Sequence, residues 1–456
     1  MKKYFLYILL FSLVSCRKYV EVEQKGVKTL KSTNDYRYVM NDNSILETGY
    51  GLHILSGDDI SITDSIRVNS LSLAYNNYQL GAYIWDSVYY TVTQSDAEWN
   101  RDYKLIYTCN EILEGVIDSE GGADSLKKQI YGEALVHRAD TYFQLVNLFG
   151  KQYDEATAAS DMGVPVLLTS NLYADLTRRS VKEVYSQITN DLTAALPLLP
   201  ALPDFNVRPA KVSVYALLAR VYLNKRDFVN AGLYADSALK LQSTLVNYST
   251  LASNAALPLR LADPEIMLSK LANNSYTALS LNNNLVQLLG TSDLRYKFFT
   301  NTSAVFSGSF SAAFTGRTYW RSILGERVNL IGPGVPEMML IKAEAAARQS
   351  DAGTAMSLVN TLRQNRFAPA DYVALSATDA SDALLKVVQE RQRELFGRGF
   401  RWFDQRRLNK DAAFAATVTR TVRGVTYTLA PNSNRYLFPI PPNAMLLNPE
   451  VKQNPR

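Results

Sequence analysis

Hydrophobic residues recur at three- and four-residue intervals in two long tracts of this 456-residue chain, and each tract reads as a set of amphipathic helices. In the first, Trp99, Tyr103, Ile106, Tyr107, Asn110, Leu113 and Ile117 follow one face, with Ser95 or Asp96 placed to cap its start. A second helix runs from Asp124 to Phe149 and stops at Gly150. Another pair is written in "SVKEVYSQITNDLTAALPLL" and "VSVYALLARVYLNKRDFVNAGLYADSALKL". There Tyr215, Leu218, Ala219, Tyr222, Ala231 and Ala238 take the offsets of the tetratricopeptide repeat, with large residues on the first helix and small ones where two helices cross closely. Ala343 and Ala355 keep the twelve-residue separation of Ala219 and Ala231. The pattern predicts a right-handed stack of about four helical hairpins, over residues of about 95–245 and 334–410, because no single repeat can bury its apolar face alone.

Elsewhere the helical period is lost. Residues 33–94 are rich in Asn, Asp, Ser, Gly and Tyr, and 247–333 in Asn, Ser, Thr, Gly and Phe. The tail, 411–456, is strand-like from Val425 to Leu429 and then punctuated by proline. The fold class expected is therefore mainly α: a tetratricopeptide-like scaffold of helical hairpin repeats with a loop-rich, irregular subdomain. Irregular insertions of this length in a compact protein usually carry function, so that subdomain is the expected place for a ligand.

The N-terminus, "MKKYFLYILLFSLVSCRKY", joins two lysines to an apolar run from Tyr4 to Val14, which is too short to span a bilayer and suits a signal peptide over residues 1–15. Cys16 after the small Ser15 resembles a lipobox, so cleavage before Cys16 and lipid on its thiol are expected, followed by a tether over 16–32. Acyl chains contribute about 0.8 kcal/mol per buried methylene, enough to make Cys16 a membrane anchor. Cys109 is then the one thiol left, and it reads as an inert packed side chain. The formal charge of +5 becomes +3 once Lys2 and Lys3 of the leader are removed, too weak for polyanion binding, and no nucleic-acid partner is expected.

Catalytic signatures are missing. His53 and His137 are the two histidines, and no His-Glu-x-x-His, Gly-x-Ser-x-Gly or Walker loop occurs; neither a metal nor a cofactor is expected. A pair of carboxylates such as those of "SGDD" at Ser56 to Asp59 is the one enzymatic route open, and a capped turn explains it more simply. The densest charge cluster, "ERQRELFGRGFRWFDQRR" from Glu390 to Arg407, holds six arginines, yet Glu390, Glu394 and Asp404 are interleaved with them. Leu384, Leu385, Val388, Leu395 and Phe396 form an apolar stripe on the preceding helix, so these charges border a buried face. Glu394, Arg401, Asp404 and Arg407 are expected to form structural ion pairs that lock one helix end onto the next.

This cluster resembles the C-terminal signature of the SusD/RagB family, E-R-x-x-E-L-x-x-x-G-x-R-x-x-D-x-x-R. Glu390, Arg391, Glu394, Leu395, Gly399, Arg401, Asp404 and Arg407 fit it, and Arg398 departs from it by standing where an acidic residue is common. "CNEILE", "EALVHRADTYFQLVNLFG" with "GVPVLL", "RRSVKEVYSQITNDL", "RPAKVSVYALLARVYL", "LIKAEAAAR" and "FPIPPNAMLLNPEVKQNP" follow in the family's order. The resemblance implies a lipid-anchored, non-enzymatic protein on the outer face of the Bacteroidetes outer membrane that binds oligosaccharides or, in some members, peptides, and caps a SusC-like TonB-dependent transporter. A pure protein-interaction scaffold is a third reading, since tetratricopeptide arrays bind peptides in their grooves. For ligand contact the sequence offers aromatic residues outside the helical period, whose flat faces suit sugar rings. These are Asn77, Tyr78, Tyr83 and Trp85 in "AYNNYQLGAYIWDS", and Arg317, Tyr319 and Trp320 in "GRTYWRS".

Overall fold

The computed structural model describes residues 30–73, 77–272, 279–302, 308–320 and 330–456. Cys16 and most of the tether lie outside them, as do Tyr75, Asn76 and Arg321. The chain opens with short elements: helices α1 (Thr33–Met40) and α2 (Asn43–Leu46), strand β1 (Thr48–Gly49), and helices α3 (Ser65–Leu71) and α4 (Asn77–Ile84). Long helices follow, α5 (Ala97–Gly115) and α6 (Asp124–Phe149), then strands β2 (Met162–Pro165) and β3 (Arg178–Ser180), and helices α7 (Val181–Ala195), α8 (Lys211–Lys225) and α9 (Phe228–Leu241). The irregular insertion holds β4 (Leu271–Ala272), α10 (Asn283–Leu289), α11 (Leu294–Phe299), β5 (Thr300–Thr302) and β6 (Arg317–Tyr319). Four more helices, α12 (Val335–Arg348), α13 (Ala352–Gln364), α14 (Ala380–Leu395) and α15 (Phe400–Leu408), precede the tail hairpin of β7 (Val418–Val422) and β8 (Val425–Leu429) and the last helix α16 (Pro442–Leu447).

Local chemistry sets these boundaries. Asp96 starts α5 by accepting from the backbone N–H groups of Glu98 and Trp99, and a reciprocal Ser180–Glu183 capping box starts α7. Helix α5 ends at Gly115, short of the expected Ile117, which is 46% exposed. The α8–α9 hairpin closes on Arg226, whose φ of 64° is left-handed, and Asp227 then caps α9. A left-handed arginine is unfavourable, and this one is held by a fork onto Asp411 at 2.6 and 3.1 Å.

Packing follows the repeat pattern. Helices α5 and α6, α8 and α9, and α12 and α13 form consecutive antiparallel-type hairpin contacts, with α7 laid on α6 and α14 on α12. Ala219, Ala231, Ala343 and Ala355 are fully buried at the crossings. Around them the tyrosines of the pattern stack: Tyr222 lies 5.3 Å from Tyr234, and Tyr215 6.4 Å from the same ring. This is a mainly α-helical hairpin-repeat scaffold. Among the described residues its strands form two-stranded ladders, three of them antiparallel, the fourth the parallel pair β1–β4 that ties the insertion to the start of the chain.

The arginine cluster runs through the interior as a ladder of alternating charges. Arg220 meets Glu337 at 2.6 Å, Glu337 lies 3.6 Å from Arg391, and Arg391 meets Asp404 at 2.8 Å. Arg407 bridges Asp404 at 2.8 Å and Glu344 at 2.6 Å; Arg348 then links Glu344 at 2.9 Å to Asp411 at 2.7 Å. Glu394 belongs to a second chain: it accepts from Arg295 and Arg366, and Arg366 continues to Glu265 at 2.8 Å. Arg398 donates to the carbonyls of Leu330 and Gly332. Between α14 and α15 the chain turns through Gly397 and Gly399, with φ of 71° and 82°. A Cβ there would come within 2.5 Å of the Tyr319 ring and 2.3 Å of His53 Nε2 respectively, so both positions exclude side chains by space as well as by conformation.

Asp404→Ala leaves Arg391 and Arg407 undercompensated in the interior and is expected to cost about 3–5 kcal/mol. Lys182→Ala, which breaks an exposed pair with Glu155, should leave the denaturation midpoint nearly unchanged. Chemical denaturation of both variants checks this, and equal midpoints would show that the ladder is solvated.

Candidate ligand-binding site

The loop-rich residues form a module on one flank of the scaffold, joined strand to strand. Ser61 N–H donates to the Ser280 carbonyl at 3.0 Å, Leu281 N–H to that of Arg317 at 2.9 Å, and β6 pairs with β5, so four segments are linked by backbone bonds. Tyr83 reaches them through its hydroxyl, which accepts from Ile62 N–H at 2.6 Å. The two aromatic stretches singled out in the sequence, 77–85 and 317–320, are thereby built into one module.

Their side chains differ in what they can do. Tyr83 and Trp85 are in the core, at 2% and 0% exposure, and Trp85 donates from Nε1 to the Ser56 carbonyl at 2.9 Å. Trp85 takes the left-handed position (φ 55°) that ends α4, where Asp86 N–H bonds back to Gly81. Between the Tyr83 and Trp85 rings lies the Arg420 guanidinium of β7, 4.1 and 4.3 Å from their centroids, donating also to the carbonyls of Leu55, Gly57 and Tyr83. Burial pushes Arg420 down to about 10. The expectation that Tyr83 and Trp85 offer open faces to a ligand is therefore corrected: those faces are occupied by a cation that no local pattern announced. Tyr319 is likewise core, set edge-on to Phe396 at 5.6 Å and against Gly397. Arg317 is half-buried, stacked 4.3 Å over Tyr296 and donating to Thr300. Asn77, Tyr78 and Trp320 are half-buried, with Tyr78 stacked on Tyr90 at 6.1 Å.

The module is fastened to the scaffold by residues 53–59. Arg401 does not pair with Asp404 but forks onto Asp58, at 2.5 and 2.9 Å. Burial raises the Asp58 carboxyl and the Arg401 charge lowers it further, leaving it below the usual range. Asp59 is buried beside it, accepts from Gln392 at 2.9 Å, and is pushed up to about 7 by burial and by the Asp58 charge. The pair so engaged is a structural clasp. His53 lies stacked on Phe403 at 4.8 Å, and burial lowers it to about 3, so it stays neutral. His137 is buried in α6 and receives Lys270 Nζ on Nδ1 at 3.0 Å. Burial pushes Cys109 up to about 12, which makes it inert. Among the described residues no group of three or more His, Cys, Asp or Glu could hold a metal, and no helix is long and apolar enough to cross a membrane.

The architecture is a helical repeat scaffold carrying an irregular, aromatic-rich module. The comparisons with known proteins give its family: a model described as "Starch-binding associating with outer membrane" matches residues 28–223, and the SusD family model matches 335–456. The chain belongs to the SusD/RagB family of outer-membrane nutrient-binding proteins, which are not enzymes. It is 28% identical to one SusD-like protein of Formosa agariphila over 51% of this chain, and 24% identical to another over 78% of it. The matched stretches span 45% and 79% of those relatives' own lengths. A SusD superfamily protein from Bacteroides thetaiotaomicron shares the fold with a TM-score of 0.74 at 20% identity, covering 93% of this chain and 100% of that one. A laminarin-binding SusD-like protein shares it with a TM-score of 0.64 at 18% identity, covering 93% and 99%.

Trp85→Ala should cost about 3–5 kcal/mol of stability, since it empties a core site and strips one face from Arg420. A melt like that of the unchanged protein would place Trp85 at the surface. Asp59 contributes a pH signature of defined sign. With its folded value about 7 and an ordinary unfolded value near 3.8, the folded chain holds a proton that the unfolded chain has lost, so this group's contribution falls as pH rises from 3.8 to 7. Asp59→Asn is expected to raise the melting temperature at pH 8.5 and to leave it nearly unchanged at pH 4; a uniform shift at both would exclude this assignment.

Proposed function

We propose that this protein is a lipid-anchored, surface-exposed nutrient-binding component of the outer membrane that captures oligosaccharides and passes them to a SusC-like TonB-dependent transporter. The observation that carries the reading is the family match at both ends of the chain, together with a fold shared over nearly its whole length with a laminarin-binding relative. Lipid on Cys16 would hold the molecule at the membrane, and the tether would let the scaffold seat against a barrel.

Within the aromatic module, the ligand face we infer uses Asn77, Tyr78 and Trp320, with the edge of Arg317. These side chains keep part of their surface open, whereas Tyr83, Trp85 and Tyr319 would act behind them by fixing the backbone. A tryptophan face and a phenol suit the apolar face and the hydroxyls of a pyranose ring, and an amide can bond two adjacent hydroxyls.

Titration with a panel of oligosaccharides and peptides tests this. Trp320→Ala and Tyr78→Ala should each weaken the glycan that binds by tenfold or more while leaving the melt within a few degrees, and pull-down from outer membranes should recover a TonB-dependent barrel. Binding to peptides with a blank glycan panel would favour the peptide-uptake reading, and unchanged affinity in both variants would move the site elsewhere.

A further inference from the structure

The loop that joins β2 to β3 carries Leu172 and Tyr173 at its apex, 79% and 95% exposed. Its two flanks are tied down. Asn110 Nδ2 donates to the carbonyls of Leu167 and Thr169 at 3.1 and 2.9 Å, and Ser170 N–H donates to Glu114 at 3.0 Å, so the loop runs along α5 toward the C-terminal end of that helix. At the apex Asn171 Oδ1 accepts from Tyr173 N–H at 2.9 Å, and past it Leu176 N–H reaches Glu450 of the tail. Polar bonds hold this loop in place, and Leu172 and Tyr173 add nothing to the core, so their apolar surface is left to water without a role in the fold.

The same end of α5 receives the chain coming from Cys16. Thr33 N–H donates to the Glu120 carbonyl at 2.9 Å and Glu120 N–H to that of Lys31 at 2.8 Å, just past Gly115, where α5 stops; Ile117, between them, is exposed. Residues 17–29 separate Cys16 from Leu30, and even fully extended that stretch spans about 50 Å. Lipid on Cys16, the reading proposed above on which this inference rests, ties this end of α5 to the bilayer. The other end, about 28 Å away at about 1.5 Å per residue, adjoins residues 77–94 with Asn77 and Tyr78. Two side chains projecting from a loop flanked by Ser170, Asn171 and Asp175 make a wedge too narrow for a stable protein partner, which needs about 800 Å² on each side. A leucine beside a tyrosine suits a lipid–water interface, where the aliphatic group enters the acyl boundary and the phenol hydroxyl stays at headgroup level. We propose that Leu172 and Tyr173 form a second membrane contact, inserted into the lipid interface beside the anchor. One lipid on a tether leaves the body free to turn; a second contact at this end of α5 sets how the molecule stands and keeps the Tyr78 end clear of the lipid.

Site-specific fluorescence on the mature lipoprotein tests this. With the Cys16 thiol taken by lipid and Cys109 buried, Leu172→Cys offers one site for an environment-sensitive dye, and Val92→Cys, at a residue 83% exposed ahead of the start of α5, offers a control at the opposite end. In vesicles of phosphatidylethanolamine and phosphatidylglycerol carrying a nitroxide-labelled lipid, the dye at 172 is expected to shift to the blue and to be quenched at least twofold more than the dye at 92. Adding Tyr173→Asp should at least halve that difference while the melt is preserved. A protein that floats with the vesicles but shows equal quenching at both positions overturns the second contact and leaves the anchor standing; one that does not float removes the anchor and this inference together. Shielding of position 172 only when an outer-membrane barrel is added would assign the apex to a protein contact and overturn the proposal as well.

Discussion

The ladder of buried charges from Arg220 to Asp411 is the constraint on which the other parts depend. Its members come from α8, α12, α14 and α15 and from the turn after α15, and each carboxylate sits between two guanidinium groups. Apolar residues of similar volume could make a core of comparable stability, but a core of that kind tolerates sliding. Separating one of these pairs leaves a charge stranded in the interior at a cost of several kcal/mol, so the helices have one permitted register. The scaffold's precision comes from this asymmetry more than from any net gain in binding the charges together.

The irregular module borrows that precision. Asp58 takes Arg401 from the first turn of α15, Glu265 takes Arg366 from just beyond α13, and Lys270, next to β4, reaches His137 in α6. Loops fastened at several points to rigid helices can hold half-open side chains such as Tyr78 and Trp320 in place without regular secondary structure of their own. This division also explains the aromatic content: most rings in the module serve the backbone, and only a few are left with a free edge.

Much of the scaffold was legible because its signals are local. Ala219 and Ala231 lie twelve residues apart across one hairpin, Asp96 and Trp99 within one turn, and spacing alone exposes them. The interleaved signs around Glu390 showed that charge would be paired, yet the partner of Arg401 is Asp58, 343 residues away, which no spacing within the cluster shows. The site was less legible for the same reason. Trp85 looks like a platform in the sequence because it stands outside the helical period in a loop-rich segment; nothing nearby shows that Arg420 will cover it.

The reach of Arg420 has a consequence for how the molecule is made. Its bonds to the carbonyls of Leu55 and Gly57 close loops of 365 and 363 residues, and Arg456 closes another of 370 residues onto Asp86. Contacts of such sequence separation cannot form until nearly the whole polypeptide is available, and they raise contact order and slow folding. The helical hairpins, whose contacts are local, need no such wait, so the irregular module is the part whose completion depends on the C-terminal residues.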